Sequence, residues 1–454
     1  MDFAKKKVIV CGMAKSGFAS AELLIRLGAR VTLQDIKELE KLDAASASIA
    51  SALERKGAAL YLGRNPDEIV REYDLVVVSP GLPADLPFME KARAAGVPVW
   101  GEIELAYSLC PCPVIAITGT NGKTTTTALT GAILKSHNPK TEIAGNIGVP
   151  FAEKTADLTA DAWAVVEVSS FQLETVQTFR PKVSVVLNVT PDHLDRHKTM
   201  ERYVALKESV GRLQGPEDYM VLNFDDLYCR EMRTKAKRIF FSRVHPLEEG
   251  FFLDGNIIRA HFEGKDEAVL DIHDMRIFGH HNIENTLAAV AAAACAQVPA
   301  DVIRRAATNF QAVEHRIEFV RALNGVRFYN DSKATNTDAA IKAIEAMREP
   351  IVLIGGGYDK HSDFGDWVKM FQGKVKHLVV MGEVAEKIME TCKAYGFERV
   401  DQVHSLKNAV ELAYSKAEAG DCVLLSPACA SWDMFDNYEQ RGNLFKEFVR
   451  DLPS

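Results

Sequence analysis

The sequence has no long apolar run, no excess of basic residues and no paired-cysteine motif. Its longest apolar stretch, LAAVAAAACA at 287–296, is far below the roughly 18–20 residues that span a bilayer, so we expect no membrane insertion. Lysine and arginine number 54 against 62 aspartates and glutamates, which gives a net charge of −8. A nucleic-acid-binding or membrane-surface protein normally carries a basic face, so this balance predicts neither kind of partner.

The eight cysteines include no CxxC pair, and Cys110 and Cys112 are the one pair close together in the chain. This pattern provides neither a disulfide framework nor a zinc signature, so we expect reduced thiols and a cytoplasmic protein. The first apolar run, VIV, ends at Gly12 and is too short for a signal-peptide core. It indicates the first strand of a folded domain instead.

Short runs rich in Val, Ile and Leu recur along the chain, with helical stretches between them. They are VIVCG, VTLQD, DLVVVSPG, PVIAITG, AWAVVEVSS, VSVVLNVT, IVLIGGG, HLVVMG and CVLLSPA. Fully apolar strands of this length, separated by helices, are typical of parallel sheets covered on both faces. The predicted fold class is therefore α/β, and 454 residues are enough for more than one such domain.

Two changes of pattern suggest domain boundaries. The segment CPCP at 110–113 breaks both helices and strand ladders, and near Gln311 an Ala-rich helical region gives way to the strand HRIEFVRAL. The chain is therefore predicted to divide into domains at 1–110, 111–311 and 312–454.

The sharpest local signal is PVIAITGTNGKTTTTAL, an apolar strand followed by a glycine-rich turn that opens a helix. A nucleoside triphosphate needs backbone N–H groups at a helix start, a lysine for its phosphates and a hydroxyl for Mg²⁺. The residues that fit this loop are Gly119, Thr120, Asn121, Gly122, Lys123, Thr124 and Thr125. Ile117 occupies the first glycine position of GxxxxGK[ST], which argues against an ordinary GTPase or kinase. A turn with an incidental lysine is the alternative.

Two further polar residues follow apolar strands. Glu167 ends the strand AVVE, and His193 follows VSVVLNVT in the segment PDHLDRH. Ligands of parallel sheets gather at the carboxyl ends of the strands, so both could hold Mg²⁺ beside the phosphate loop. Taken alone, a satisfied strand-end glutamate or a structural histidine would be as good an interpretation.

A series of segments occurs in a familiar order: GTNGKT, EVSSFQLE, LNVTPDHLDRH, HNIENTLAA, HRIEF, NDSKATN and SPACASWDMFDNYEQRGN. Together they resemble the Mur ligase family of ATP-dependent amino-acid ligases that build the peptidoglycan stem peptide, and its D-glutamate-adding members most of all. The resemblance implies three domains: a Rossmann-like N-terminal domain for a UDP-sugar, a central P-loop ATPase-type domain, and a Rossmann-like C-terminal domain for the incoming amino acid.

In the first domain, Gly12, Ala14 and Gly17 form GxAxxG, and Asp35 ends the next strand. By itself this is a weakened dinucleotide fingerprint that permits NAD, whereas the resemblance implies the diphosphate of UDP. The turns SPG and GNIG, taken alone, would be ordinary turn chemistry. The residues that the resemblance assigns to the UDP-sugar are Gly12, Ser16, Asp35, Ser79, Gly81, Asn146, Ser169 and Gln172.

For ATP and two Mg²⁺ ions, the resemblance implies further residues. Lys123, His193 and Lys207 would be catalytic, with Lys207 carried as a carbamate, although a helix lysine is ordinarily unmodified and solvated. The metal ligands would be Thr124, Glu167, His193 and Lys207. The other nucleotide contacts would be Asn282, Asn285, His315, Arg316, Asp331 and Lys333. Without the family, Asn282 and Asn285 would be a helix-capping pair.

The resemblance assigns D-glutamate to Thr335, Lys360, Ser431 and Tyr438. It implies that UDP-N-acetylmuramoyl-L-alanine and D-glutamate are joined by a monomeric enzyme through an acyl phosphate. The alternatives are a sibling ligase that adds another amino acid and a nucleotide-binding protein without catalysis.

Overall fold

The computed structural model describes residues 2–277, 279–311, 314–359 and 362–453. Two compact units are present. One contains the residues up to His273 together with Asn285–Thr308, and the other contains Asp274–Glu284 together with the residues from Asn309 onward.

The first sheet is fully parallel, with strand order β3-β2-β1-β4-β5. Its strands are β1 (Lys7–Cys11), β2 (Arg30–Asp35), β3 (Ala59–Leu62), β4 (Leu75–Val78) and β5 (Val99–Gly101). The helices are α1 (Lys15–Arg26), α2 (Ala44–Arg55), α3 (Pro87–Ala94) and α4 (Glu102–Tyr107). Apolar clusters lie on both faces of β1 and β4, and the strand order reverses between these two strands, as in a Rossmann-like domain.

The second sheet has nine strands in the order β14-β13-β12-β11-β10-β9-β6-β8-β7. They are β6 (Val114–Thr118), β7 (Glu142–Gly145), β8 (Ala164–Glu167), β9 (Val183–Val186), β10 (Tyr219–Asn223), β11 (Lys237–Ser242), β12 (Gly250–Asp254), β13 (Ile257–Phe262) and β14 (Lys265–Asp271). Strands β6 to β12 pair in parallel. Strands β13 and β14 complete the sheet as an antiparallel hairpin.

Helices surround this second sheet. They are α5 (Lys123–His137), α6 (Phe151–Thr155), α7 (Ser170–Leu173), α8 (Leu194–His197), α9 (Met200–Glu208), α10 (Leu227–Glu231), α11 (His280–Cys295) and α12 (Ala300–Asn309). Strand register decides where the functional side chains lie, because Ile117 of β6 pairs with Glu167 of β8 and Thr118 pairs with Val186 of β9. The segments that follow these three strands therefore emerge at one edge of the sheet.

The second unit contains a six-stranded sheet in the order β15-β16-β20-β17-β18-β19. The strands are β15 (Glu318–Leu323), β16 (Val326–Asn330), β17 (Ile351–Gly356), β18 (Val375–Met381), β19 (Val400–Gln402) and β20 (Cys422–Leu425). Its helices are α13 (Thr337–Ala346), α14 (Gly365–Lys369), α15 (Ala385–Ala394), α16 (Leu406–Lys416) and α17 (Tyr438–Asp451). Only the edge strand β15 is antiparallel among these described strands.

Buried polar groups join the first two sheets within their unit. The Glu104 carboxylate of α4 accepts hydrogen bonds from the backbone N–H groups of Gln177 and Thr178, at 2.8 and 2.6 Å, and from the Thr178 hydroxyl. Gly101 has no room for a side chain, because a Cβ atom there would lie 2.2 Å from Thr175 Oγ1. The end of the first domain is thus fixed to the second by specific contacts.

The α/β architecture with three sheets confirms the fold predicted from the sequence, and all nine predicted apolar strands are present. Some strands that the pattern did not single out are short and at the edges of sheets, as are β3 and β19. Others, namely β10, β11 and β16, lie inside their sheets but carry polar or charged residues within or beside the apolar run. The domain limits at 110 and 311 stay predictions. No helix in the described ranges is long and apolar enough to cross a membrane.

Candidate active site

The phosphate loop connects β6 to the start of α5. Gly119 and Gly122 have φ angles of 151° and 85°, which favour glycine. A Cβ atom would lie 2.9 Å from Leu187 Cβ at Gly119 and 2.2 Å from Asn285 Oδ1 at Gly122. The loop therefore packs too closely for side chains at these two positions. It delivers backbone N–H groups to the positive end of a fifteen-residue helix, which suits an anion.

Lys123, the first residue of α5, folds back over this loop. Its ammonium donates to the carbonyl oxygens of Gly119 and Thr120, at 2.9 and 2.7 Å. Thr124 and Thr125, next in the helix, are buried. A cation and two hydroxyl groups thus lie at the same helix start, as the phosphate-loop motif predicted.

Asn188 holds the loop in shape, and the sequence motifs did not identify it. Its Oδ1 accepts the N–H of Asn121 at 2.9 Å, and its Nδ2 donates to the carbonyl of the same residue at 3.1 Å. The Thr120 hydroxyl lies 3.1 Å from both the carbonyl of Thr190 and the Tyr203 hydroxyl. The only available signal was that an amide side chain follows the apolar strand β9.

Glu167 ends β8 beside the phosphate loop and is 2% exposed. Its Oε1 accepts a hydrogen bond from Asn146 Nδ2 at 2.9 Å, whereas its Oε2 is buried and has no hydrogen-bond partner among the described residues. A buried carboxylate oxygen without a donor is costly, and a hard divalent cation is a ligand that would satisfy it. Glu167 therefore fits the role of a Mg²⁺ ligand.

His193 precedes α8 with a left-handed backbone, at a φ of 53°. Its side chain is 31% exposed, its Nε2 lies 3.6 Å from Asp192 Oδ2, and its ring packs edge-on against Phe171 at 4.8 Å. A partly exposed imidazole with a neighbouring carboxylate is a suitable metal ligand.

Lys207 is 1% exposed, in contrast to the solvated lysine that a helix position alone suggests. Its Nζ lies 4.4 Å over the ring of Tyr203. Burial lowers the pKa of Lys207 well below its usual value, and the charge of Lys123 lowers it further, while Asp192 acts in the opposite direction. The neutral amine is therefore favoured close to the phosphate loop.

Asn282 and Asn285 lie in the first turns of α11 and are each 5% exposed. The Thr126 hydroxyl donates to Asn285 Oδ1 at 3.3 Å. Asn285 therefore packs against the phosphate loop and α5, which is consistent with the predicted nucleotide contact.

Three of the residues predicted for the UDP-sugar, Gly12, Asp35 and Ser79, lie at the carboxyl ends of β1, β2 and β4. Gly12 has a φ of 93°, and its carbonyl accepts the Ser79 hydroxyl at 2.9 Å. Asp35 accepts the N–H groups of Met13 and Lys37, each at 3.0 Å. Its carboxylate shapes the turn after β1, and Ser16 lies half-buried in the first turn of α1.

Among the other predicted sugar contacts, Gly81 lies where the first two domains meet. Arg196 donates to the carbonyls of Gly81 and Leu82, at 3.1 and 2.7 Å, and its guanidinium lies 4.4 Å over the Phe171 ring. Ser169 and Gln172 form a reciprocal capping box at the start of α7, immediately after Glu167. Asn146, also predicted here, is the hydrogen-bond donor to Glu167.

In the second unit, Asp331 is completely buried after β16. Burial raises its pKa to about 6, although Arg316, 3.6 Å away, and the Ser426 hydroxyl, at 2.8 Å, favour the charged form. His315 has its Nδ1 2.9 Å from Asn330 Nδ2, and burial lowers its pKa. Arg316 thus pairs with Asp331, and His315 is held next to it by Asn330. Their predicted contact with the nucleotide stays a prediction.

Lys333 and Tyr438 also lie together, with Lys333 Nζ donating to the Tyr438 hydroxyl at 2.9 Å. Ser431 is buried, whereas its neighbour Trp432 is 62% exposed. Thr335 is half-buried, two residues after Lys333. Lys360, the predicted cation for D-glutamate, lies outside the described residues.

Arg441 was not identified from the sequence, yet it organises this region. It is fully buried and donates to the Ser332 hydroxyl at 3.0 Å and to the carbonyls of Ser332 and Cys429 at 2.8 and 3.1 Å. Helix α17 is thereby tied to the loops that follow β16 and β20.

Glu314, His315 and Glu318 lie close enough together to suggest a cation site. Lys446 already occupies this position, because its Nζ pairs with Glu314 and lies 3.3 Å from Glu318 Oε1. The ammonium takes the position between the two carboxylates that a metal ion would need, so the cluster does not fit a metal.

Comparison with known families gives matches across most of the chain. The Mur ligase MurD-like N-terminal domain matches residues 6–101, the Mur ligase middle domain matches 117–293, and the Mur ligase glutamate ligase domain matches 315–429.

Curated relatives match over the whole length. The UDP-N-acetylmuramoylalanine–D-glutamate ligase of Alkaliphilus metalliredigens is 48% identical over 456 residues, covering 100% of this chain and 99% of the relative. The enzyme of the same name from Lachnospira eligens is 47% identical over 454 residues, covering 100% of both chains.

Solved structures show the same fold at low identity. UDP-N-acetylmuramate–alanine ligase from Thermotoga maritima has a TM-score of 0.63 at 19% identity, covering 98% of this chain and 99% of that one. A pseudomurein peptide ligase type C from Methanothermus fervidus has a TM-score of 0.61 at 18% identity, covering 99% and 100%.

The Asn188 contacts give a testable prediction. Asn188→Ala leaves the N–H and carbonyl groups of Asn121 without their side-chain partners, so the loop loses a restraint worth about 1.4 kcal/mol. We expect the affinity for a magnesium complex of a non-hydrolysable ATP analogue to fall about tenfold by calorimetry. Asn138→Ala, at the far end of α5, is the matched control, and equal affinities for the two variants would contradict the assignment.

Proposed function

The chain belongs to the Mur ligase family, and on this basis we propose that it joins D-glutamate to UDP-N-acetylmuramoyl-L-alanine, with cleavage of ATP to ADP and phosphate. This is an amide-forming step in the synthesis of peptidoglycan precursors. The observation that carries the proposal is full-length similarity, at 47–48% identity, to relatives named for this reaction. The phosphate loop beside the buried carboxylate of Glu167 supports it with an appropriate chemistry.

The proposed reaction has two steps. A carboxylate oxygen of the alanyl group attacks the γ-phosphorus, the bond to the β–γ bridging oxygen breaks, and ADP leaves with that electron pair. The amine of D-glutamate then attacks the acyl carbon, loses a proton, and displaces inorganic phosphate. The first step brings two anions together, so positive charge at the phosphate loop is its main requirement.

Residues of this chain meet that requirement in three ways. The N-terminus of α5 and the Lys123 ammonium stabilise the phosphate oxygens as charge moves toward the leaving ADP. Thr124, Glu167, His193 and Lys207 would hold Mg²⁺, which would neutralise phosphate charge when bound. These four residues were predicted as ligands of two Mg²⁺ ions. Among their atoms, Glu167 Oε2 has the best support as a ligand.

We further propose that Lys207 carries a carbamate. A neutral lysine amine can add to CO₂ and release a proton, which leaves an anionic carbamate, and burial beside Lys123 favours the neutral amine. The product is an anionic oxygen donor, which is attracted to the Lys123 ammonium and to a divalent cation.

For the second substrate, the proposed contacts are Thr335, Lys360, Ser431 and Tyr438. A dicarboxylate requires hydroxyl and cationic donors. The Lys333–Tyr438 hydrogen bond and the anchoring of α17 by Arg441 support an ordered donor set at this end of the sheet.

Substrate specificity tests the proposed reaction. Phosphate release from ATP in the presence of UDP-N-acetylmuramoyl-L-alanine should occur with D-glutamate and not with L-alanine, L-lysine or diaminopimelate. Lys123→Ala should abolish it, because the γ-phosphate loses its cation. Release with L-lysine or diaminopimelate in place of D-glutamate would indicate a sibling ligase, and no release with any amino acid would indicate a non-catalytic nucleotide-binding protein.

The carbamate has a separate test. Lys207→Ala should lower the ligation rate by roughly 100-fold or more, since even partners of metal ligands contribute 10–100-fold. Added short carboxylic acids should restore part of the rate. Lys135→Ala, on the exposed side of α5, is the control. ¹³C NMR after exposure to labelled bicarbonate should show a carbamate signal in the wild type and none in Lys207→Ala, and identical spectra would refute the modification.

A further inference from the structure

Glu102, the first residue of α4, is a buried carboxylate that the proposed reaction does not use. It is 1% exposed, and its Oε1 accepts the backbone N–H of Ala152 at 2.6 Å. Its Oε2 is buried with no hydrogen-bond partner in the described part of the chain. Burial raises the pKa of Glu102 to about 7, against the effect of the N–H groups of Ala152 and Phe151. Glu104, two residues on, accepts three hydrogen bonds and has an evident structural role.

The partner of Glu102 is the first turn of α6. This helix begins after Pro150, which provides no capping side chain of its own. Glu102 therefore supplies, from the N-terminal domain, the acceptor that the start of α6 requires.

The 145–150 loop, which connects β7 to α6, contacts the candidate metal ligand Glu167. Gly145 donates its N–H to the Val149 carbonyl at 2.9 Å, which closes the loop tightly. Asn146 donates its backbone N–H to the Glu167 carbonyl and its side-chain amide to Glu167 Oε1, both at 2.9 Å. A Cβ atom at Gly145 would lie 2.3 Å from the Glu167 carbonyl oxygen, so this close approach of the loop to β8 requires glycine. One end of the loop is thus fixed at Glu167 and the other at the helix turn that Glu102 holds.

We propose that Glu102 is a positioning residue for the metal site. By holding the first turn of α6, it fixes the 145–150 loop, so that Asn146 occupies Glu167 Oε1 and leaves Oε2 directed at a cation. The inference rests on the proposed function, in which Glu167 binds Mg²⁺. Glu102 itself would not bind the metal. It would nevertheless raise metal affinity, through the contacts that lead from Ala152 and Asn146 to Glu167.

Mn²⁺ binding measured by electron paramagnetic resonance, with a non-hydrolysable ATP analogue present, tests this role directly. Glu102→Leu keeps most of the side-chain volume and removes the acceptor, so Mn²⁺ affinity should fall about tenfold. Glu102→Gln retains an oxygen acceptor for Ala152 and should stay within about twofold of the wild type. Glu153→Gln, an exposed change on α6 itself, is the matched control.

A ligation assay supplies the second readout. For Glu102→Leu, the Mg²⁺ concentration at half-maximal rate should rise in the same proportion, with KM for D-glutamate unchanged. A merely structural role would lower kcat by reducing the folded fraction and would leave both metal measurements unchanged, and that result would overturn the proposal. Should Glu102→Leu not fold, Glu102→Asp withdraws the carboxylate by one methylene group and carries the same expectation. A wild type that binds Mn²⁺ without ligating would count against the proposed function alone, because the Mn²⁺ comparison still decides the role of Glu102.

Discussion

The central constraint in this protein is the buried carboxylate of Glu167. Parallel pairing of β8 with β6 places it beside the phosphate loop, and Asn146 satisfies only one of its oxygens. A desolvated oxygen without a donor is unfavourable in isolation, so the arrangement is best stabilised by a cation that the phosphates of a nucleotide would share. The close contacts of Gly145 and the tight 145–149 turn hold the Asn146 amide on Glu167 Oε1, so Oε2 is left without a donor among the described residues.

Local charge, not net charge, governs recognition here. The chain carries a net charge of −8, and yet ATP, a UDP-sugar and glutamate are all anions. Local positive groups offset the negative charge of these ligands. They are the N-terminus of α5 at Lys123, the backbone N–H groups of loops whose glycines have positive φ angles, and lysines with neutral hydrogen-bond partners, such as Lys333 with Tyr438. Each of these features acts over a few ångströms, so the remaining acidic surface is compatible with binding.

Much of the fold and part of the site could be predicted from the sequence, because strands and the groups at their carboxyl ends follow local rules. Apolar runs identified nine of the strands, and Lys123, Glu167 and His193 were selected because they lie at or just after the ends of β6, β8 and β9. Other roles depend on partners far apart in the chain, which no local pattern contains. The burial of Lys207 results from packing against Tyr203 and the phosphate loop, Asn188 acts through a backbone 67 residues away, and Arg441 reaches Ser332 across 109 residues. Glu102 has the same character, since its carboxylate accepts a hydrogen bond from Ala152, 50 residues away in the chain.

The most direct test of this account is the position of the metal itself. In crystals grown with Mn²⁺ and a non-hydrolysable ATP analogue, anomalous scattering should place a manganese ion about 2.1 Å from Glu167 Oε2, with Oε1 still bonded to Asn146. A metal bound at the phosphates with Glu167 Oε2 hydrogen-bonded to protein instead would contradict the account.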